Sequence, residues 1–415
     1  MSKETDIERV GVVVVGAGPA GLTAAIRLAA FTDPPVVLDA AAEPTQTSNA
    51  TLVHSSTLEM LAELRVTGPL IAAGRVIRRL VLADRGRRVT AIDLTAARSR
   101  YPFALSVPQS DTERLLLARL HQLGGSVRRQ HRVETIEVDD SGHLLRGRAG
   151  QQPFALHARY VIGADGAHST VRAGIGQQFP GRTYPMLFVL ADVAVTQTLI
   201  AADEAGVLMS GDGVTVLGRL PNGNHRIIAT VDPAAIVPER PDRAYLDQLL
   251  ARRQTGVRLA AEPSWSSRFL VHHRMVDRFR IGDVFLAGDA AHVHSPAAGQ
   301  GMNTGIADAY DLASRLAAVL TGSADPAVLD DYQSQRRAAA LEVLRFTDRM
   351  TRMAMLVKPA ARQLRRMALG VLPAIPPARH TVTNWVTGLK RSPLRHDLPH
   401  VSTAATPARF GRRPS

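Results

Sequence analysis

The sequence predicts an α/β fold: a doubly wound sheet domain interleaved with an antiparallel-sheet domain, with helices at the C-terminus. Three observations predict it. Residues 11–15, GVVVV, are a β-branched run ended by glycine, followed by an Ala- and Leu-rich stretch and a second apolar run at 35–39. That is the pattern of a β–α–β unit with buried parallel strands. Residues 183–231 and roughly 255–275 alternate apolar and polar, with turns such as PNGN at 221–224, as antiparallel strands do. After Pro326 a helical pattern runs to about Val357.

Taken in order, residues 20–30 (AGLTAAIRLAA) form the helix between the first two strands, because Ala and Leu lead the helix propensities. Residues 111–123 (DTERLLLARLHQL) form a helix with Asp111 as N-cap and Gly124 and Gly125 as its stop. YVIGADGAHSTVR (160–172) reads as strand, turn and helix. GDVFLAGD (282–289) reads as another buried strand, and 304 to about 320 as a helix. Pro373, Pro376 and Pro377 break up the tail. The elements divide the chain into a discontinuous nucleotide-type domain over 8–75, 104–180 and 270–340, and a substrate domain over 76–103 and 181–269. A helical segment over 341–400 and a basic tail over 401–415, expected to be disordered, follow.

The chain of 415 residues is 45% apolar and 21% charged, enough for more than one core. It has no cysteine, which excludes disulfides and thiolate metal sites and fits a reducing cytoplasm. The polar start MSKETDIERV is unlike a secretory signal. The apolar stretch 10–31 is no membrane span, because Gly16, Gly18, Pro19 and Gly21 break it and Arg27 would be costly in lipid. Net charge is +13, but from Arg345 to Ser415 fourteen Lys and Arg face only Asp348 and Asp397. The first 344 residues are therefore near neutral, and the body of the chain has no nucleic-acid footprint.

Three motifs carry chemistry. The first is Gly16-Ala17-Gly18-Pro19-Ala20-Gly21, with Asp39 eighteen residues after the last glycine. Gly16 permits a tight turn, Gly18 lets the backbone approach a pyrophosphate at a helix N-terminus, and Gly21 lets helix and strand pack closely. Asp39 ends the second strand, where a carboxylate can bind a ribose hydroxyl; the site is a dinucleotide site. The second motif is GADGAHSTVR (163–172), which alone would be a turn with an Asp N-cap. The third runs from Gly288 and Asp289 through His292 and His294 to a glycine-rich loop and helix. Aspartate and two histidines suit a metal, but no further ligand cluster accompanies them, and Gly288, Gly299, Gly301 and Gly305 have no use in a metal site. A helix opening at Asn303 or Thr304 would offer free N–H groups and a positive dipole end, and the glycines would let the main chain reach a flat ring. Such a loop suits an anionic heterocycle.

In this order and spacing, GAGPAG, GADGAHSTVR and GDVFLAGDAAHVHSPAAGQGMNTGIADA resemble the group A flavin-dependent monooxygenases, the p-hydroxybenzoate hydroxylase-like family. STLEML (56–61) and VPQSDTERLL (107–116) are lesser matches, and the resemblance covers roughly residues 8 to 345. It implies a Rossmann-type FAD-binding domain, with the FAD pyrophosphate on Gly16, Gly18, Pro19, Ala20 and Gly21 and the adenosine ribose on Asp39. Gln109 and Arg114 would contact FAD from the helix beside the flavin. Asp165 and Gly166 lie in the motif associated with both FAD and the nicotinamide cofactor. Gly288 and Asp289 would hold the ribityl chain, and Pro296, Gly299, Gln300, Gly301, Met302 and Asn303 would face the isoalloxazine. The implied reaction is hydroxylation of an aromatic small molecule, phenolic or polyketide-type. NADPH or NADH would be the reductant, O2 the co-substrate and a flavin C4a-hydroperoxide the oxygen donor. The chain matches a short form without a thioredoxin-like domain. Epoxidation, Baeyer–Villiger oxidation and antibiotic inactivation stay open on this scaffold, as does a non-catalytic flavin-binding role. The halogenase signature WxWxIP is absent; Trp265 and Trp385 stand alone.

Two positions depart from the family pattern. Ser56 stands where an arginine is usual, and Ala40 where a basic residue often follows the ribose-binding acid, so the phosphate charge has to be met otherwise. No single catalytic side chain is required. His54, His225, Arg219 and Tyr184 are the candidates for assisting deprotonation or lining the substrate pocket; each, like His272 and His273, also reads as a structural residue, and Trp265 reads as core. The basic C-terminal segment has three readings: a solvated helix face with a tail, a dock for an acidic carrier protein, or a membrane-surface patch. In the last, Met353, Met355, Leu356, Leu364, Met367 and Leu369 form the apolar side. Monomer and homodimer both stay open.

Overall fold

The computed structural model describes residues 7–44, 50–139, 141–232, 234–296, 299–354, 359–371, 376–395 and 398–401. Two eight-stranded sheets organise it. The first runs in the order Arg280–Ile281, Val284–Leu286, Gln152–Gly163, Glu8–Val15, Val36–Leu38, Val127–Arg128. The last five pair in parallel and the first is an antiparallel edge. Val12 to Val15 are buried, as expected of a strand covered on both faces. The helix Pro19–Ala29 crosses from the first strand to the second.

The second sheet runs His292–Val293, Trp265–Met275, Gly181–Val193, His225–Val231, Gly213–Arg219, Glu204–Ser210, Arg79–Asp84, Arg87–Asp93. It is not wholly antiparallel as expected: Glu204–Met209 pairs in parallel with Arg79–Asp84. A parallel pair needs a long crossover, and here the intervening passage through the first sheet supplies it. The strand Trp265–Met275 belongs to this sheet along its whole length, past the expected boundary at 270. Its two faces differ. Ile227, Ala229 and Val231 pack with Leu246, Leu249 and Leu250 of the helix Arg243–Arg252. Phe188, Phe269 and Ile228 lie on the opposite face.

Two helices begin earlier than expected. The first spans Gln109–Gln122, so Asp111 sits in its first turn rather than at the cap. The second spans Gln300–Leu320, with Gly299 at φ +62 as its N-cap. Glycine-rich GQGMN lowers helix propensity and hides the start; packing against the helix Pro19–Ala29 overrides it. The helix Val328–Ala354 follows, then Pro359–Val371 and Pro376–Val386. Val382 and Val386 pack with Leu80, Ile92 and Ala205 of the second sheet and with Leu52 of a small three-stranded sheet, so the C-terminal segment seals the junction of those two sheets. Leu364 and Met367 are exposed; Met355, Leu356 and residues 402–415 lie outside the described residues. Among the described residues no helix is long and apolar enough to cross a membrane.

Candidate active site

The first glycine loop is held by sterics. Gly16 has φ +103, and a Cβ there would lie 2.3 Å from the carbonyl oxygen of Ala164. A Cβ on Gly21 would lie 1.9 Å from the carbonyl oxygen of Gly16. Gly18 differs, since a Cβ there meets nothing within 4 Å. It caps the helix that Pro19 opens, so free N–H groups face open space. The Asp39 carboxylate is anchored to this loop: Oδ2 accepts from Ala17 N at 2.7 Å and Oδ1 from Ala41 N at 2.8 Å. Arg129 lies 3.4 Å from Oδ1, so a cation from the neighbouring strand end stands where Ala40 supplies none.

Gln109 and Arg114 do not converge. They stand five positions apart on the helix, about 140° around its axis. Gln109 Nε2 donates to Glu113 Oε1 at 2.9 Å, whereas Arg114 is exposed and pairs with Asp111 at 3.0 Å. Burial pushes the Glu113 carboxyl up, opposed by the Gln109 hydrogen bond.

In the second motif, Asp165 Oδ2 accepts from Thr170 N and Val171 N at 2.7 and 3.1 Å, while the N-cap of the short helix Thr170–Gly174 is Ser169 and not the aspartate. Its Oδ1 is buried without a hydrogen-bond partner among the described residues, and burial raises its pKa. Gly166, at φ +79, faces open space. Arg172 closes the motif with a role the sequence reading missed. Its guanidinium donates to Ala290 O at 3.0 Å and Ala167 O at 2.8 Å, stacked 3.9 Å from the Phe179 ring centre. It thus ties the second motif to the third.

At the third motif, Gly288 and Gly305 bring two segments together: a Cβ on Gly288 would lie 3.3 Å from Ala20 Cβ and 3.4 Å from Gly305 Cα. Asp289 reaches solvent at the cleft where these segments converge, yet surrounding protein raises its carboxyl by desolvation, opposed by His292. The two histidines turn to separate tasks. His292 Nε2 bonds Asp308 Oδ2 at 2.6 Å, and Arg336 Nε donates to Asp308 Oδ1 at 2.9 Å. Burial raises the Asp308 pKa, but His292 and Arg336 outweigh it and hold the carboxyl below its usual range. His294 stacks parallel to His292, and its Nδ1 lies 3.0 Å from Ser295 O. Burial, and then the charge of His292, depress its pKa to about 4. Among the described residues no group of three or more His, Cys, Asp or Glu could hold a metal ion.

The helix that faces the cleft presents the N–H groups of Gln300, Gly301 and Met302, not those after Asn303 as expected. Gly301 faces open space and Met302 is half-buried against the core. Pro296 accepts from Gly299 N at 2.9 Å through its carbonyl. The Asn303 side chain is committed to protein: Oδ1 accepts from His54 N at 2.9 Å, and Nδ2 donates to Leu52 O and Gly299 O at 2.7 and 2.8 Å. It clamps the loop instead of offering its amide to a ring.

The four catalytic candidates are not brought together. His54 is fully buried beneath the helix start and does not reach the cleft. Strand alternation puts His225 and its cross-strand neighbour Arg219 on the face of Ile227 and Leu217, which the helix Arg243–Arg252 covers. Burial, Arg219 and Arg75 lower the His225 pKa. Tyr184 donates to Asp348 Oδ1 at 2.9 Å, with His273 Nδ1 3.2 Å from its hydroxyl. Burial and Asp348 push the phenol up to about 12, the wrong direction for a base. The opposite face carries instead Phe188 stacked on Phe269 at 5.6 Å, and Arg226 paired through two 2.7 Å bonds with Asp192. Isolated charges in alternating strands gave no sequence signal for that pair. Trp265 is half-buried beside Arg226, 5.4 Å from its guanidinium.

Ser56 is buried, and its N donates to Thr387 O at 3.2 Å. A Cβ on Gly388, at φ +73, would lie 2.5 Å from Ser56 Oγ. The C-terminal turn therefore fills the space that an arginine at 56 would need.

Residues 9–347 match the family described as FAD binding domain. The chain is 35% identical over 352 residues to a 12-dehydrotetracycline 5-monooxygenase/anhydrotetracycline 6-monooxygenase of Streptomyces rimosus, covering 82% of this chain and 69% of that protein. It is 33% identical over 368 residues to the rifampicin monooxygenase of Streptomyces venezuelae, covering 86% and 74%. The crystal structure of p-nitrophenol 4-monooxygenase from Pseudomonas putida aligns with TM-score 0.82 at 25% identity, over 93% of this chain and 98% of that one.

Proposed function

We propose that this chain, which belongs to the FAD binding domain family and is an FAD-dependent monooxygenase, hydroxylates a phenolic or polyketide-type aromatic small molecule in its cleft. The observation that carries the reading is the set of bare glycine backbones. Gly18, Gly166 and Gly301 have only open space where a Cβ would stand. Gly16 abuts Ala164, and Gly288 abuts Ala20 and Gly305, so their three segments converge. A flat, elongated dinucleotide fits such a cradle.

Bound there, FAD supplies hydride acceptance from NADPH or NADH and the activation of O2. The chain does the rest. N–H groups at the start of the helix Pro19–Ala29 hold the pyrophosphate, and Asp39 binds the adenosine ribose at the loop it anchors. Asp289 holds the ribityl chain. The N–H groups of Gln300, Gly301 and Met302 would face the ring and would favour negative charge on it. Phe188, Phe269 and Ile228 form an apolar wall that excludes water from the substrate side. No side-chain nucleophile is needed. A cytoplasmic setting, where reduced nicotinamide cofactors are available, goes with this reading.

The names of the relatives support the substrate class: they are oxygenases of anhydrotetracycline, rifampicin and p-nitrophenol. The test begins with those three compounds and extends to a panel of phenols. Purified protein should be yellow, NADPH or NADH should bleach it anaerobically when substrate is present, and the product should gain the mass of one oxygen atom. Protein that stays colourless after reconstitution with FAD would sink the cradle assignment. Substrate-stimulated NADPH oxidation without oxygen incorporation would sink the substrate class.

A further inference from the structure

A small cavity lies beside the first turn of the helix Gln300–Leu320, lined by Gln300, Arg391, Ser392, His54, Ser56 and Arg336 among others. Its polar groups do not balance. Gln300 is 2% exposed, Arg391 7% and Ser392 1%. Nε2 of Gln300, Nη1 of Arg391 and Oγ of Ser392 have no hydrogen-bond partner among the described residues. All three can donate. The other amino group of Arg391 donates to Gln300 Oε1 at 3.0 Å and Trp385 O at 3.2 Å, and the guanidinium lies 4.6 Å from the Trp385 ring centre. These contacts fix its direction without neutralising it.

Among the described residues no carboxylate lines the cavity. Arg336, the second cation there, is already paired with Asp308 at 2.9 Å. Glu342, the acid whose charge reaches Arg391, lies 3.5 Å from Lys390 at the surface. Burial depresses the Arg391 pKa to about 10, opposed by the charge of Glu342 and reinforced by Arg336. The cavity has room for about one water-sized particle, which excludes phosphate and organic acids.

We propose that this cavity binds one monovalent anion of chloride size, held by Gln300 Nε2, Arg391 Nη1 and Ser392 Oγ. A halide accepts from all three donors and supplies the missing negative charge; water accepts hydrogen bonds but brings no charge. The anion joins the C-terminal turn to the start of the helix that faces the cleft, and it couples docking of that turn to halide concentration.

The test uses the full-length protein as purified, at constant ionic strength, with gluconate replaced stepwise by chloride or bromide. The expected result is a saturable rise in Tm with either halide. Crystals grown in bromide should give an anomalous-scattering peak between Arg391 and Gln300. Arg391→Met should abolish the saturable rise; if that variant does not fold, Ser392→Ala should weaken apparent halide affinity several-fold. A Tm indifferent to halide, with no bromide peak at this position, would mean that the cavity holds water only and would overturn the proposal. Bromide peaks confined to the surface would do the same, as adventitious ions only. Neither readout depends on hydroxylation, so failure here and failure of the functional reading are separately visible.

Discussion

Gly16 and Gly18 are two residues apart and do opposite things. At Gly16 a side chain meets both a positive φ and the carbonyl of Ala164, whereas at Gly18 it meets nothing. Gly16→Ala should therefore destabilise the fold by about 2 kcal/mol or more. Gly18→Val should leave urea unfolding of the apoprotein unchanged while FAD is lost on gel filtration. Equal effects of the two on stability would contradict this division. Asn303 shows the converse, a residue expected at the ring that serves the scaffold. Asn303→Ala removes three hydrogen bonds, one buried and two part-buried, and should cost about 2–3 kcal/mol in urea unfolding, with or without FAD. A variant that loses FAD affinity but no stability would restore the ring-facing role. The motif letters were readable in sequence at this scale. Their division into ligand-facing and scaffold groups was not, because hydrogen-bond partners such as His54 and Asn303 lie far apart in the chain.

At the scale of elements, the segment His292–Ser295 links the two sheets and places two imidazoles in a stack. It carries a pH dependence whose sign follows from His294. Its folded pKa is depressed from 6.5 to about 4, so the neutral ring is favoured in the fold. Below pH 6.5 the unfolded chain takes up the proton first, and stability falls between pH 6.5 and 4, by up to about 3 kcal/mol; above 6.5 this group contributes no slope. Urea unfolding at pH 5 and pH 7 should show a flatter dependence for His294→Leu than for the parent chain. Identical slopes would refute the assignment. The helix Gln300–Leu320 makes a related point. Its last turns were evident from Ala and Leu, but its opening at Gln300 was masked by glycine, and that opening decides which N–H groups face the cleft.

Across the whole molecule, the C-terminal segment acts as a seal between sheets. Asp348, on the helix Val328–Ala354, accepts from Tyr184 and pairs with Arg182 and Arg352 at 2.7 and 2.8 Å. Asp348→Asn should cost about 1–2 kcal/mol and let the Tyr184 phenol ionise at a lower pH, read as tyrosinate absorbance in an alkaline titration. An unchanged titration would mean that burial alone holds the phenol up. By itself the sequence determined the parallel core, the glycine loops and the cofactor class. Those rest on β-branched runs and glycine sterics, which act over a few residues. Only the tertiary structure decided that Glu204–Met209 runs parallel to Arg79–Asp84, that Arg219 and His225 face away from the cleft, and that Gly388 occupies the space beside Ser56. Each of these depends on burial and close contact between segments far apart in the chain, which local patterning does not encode.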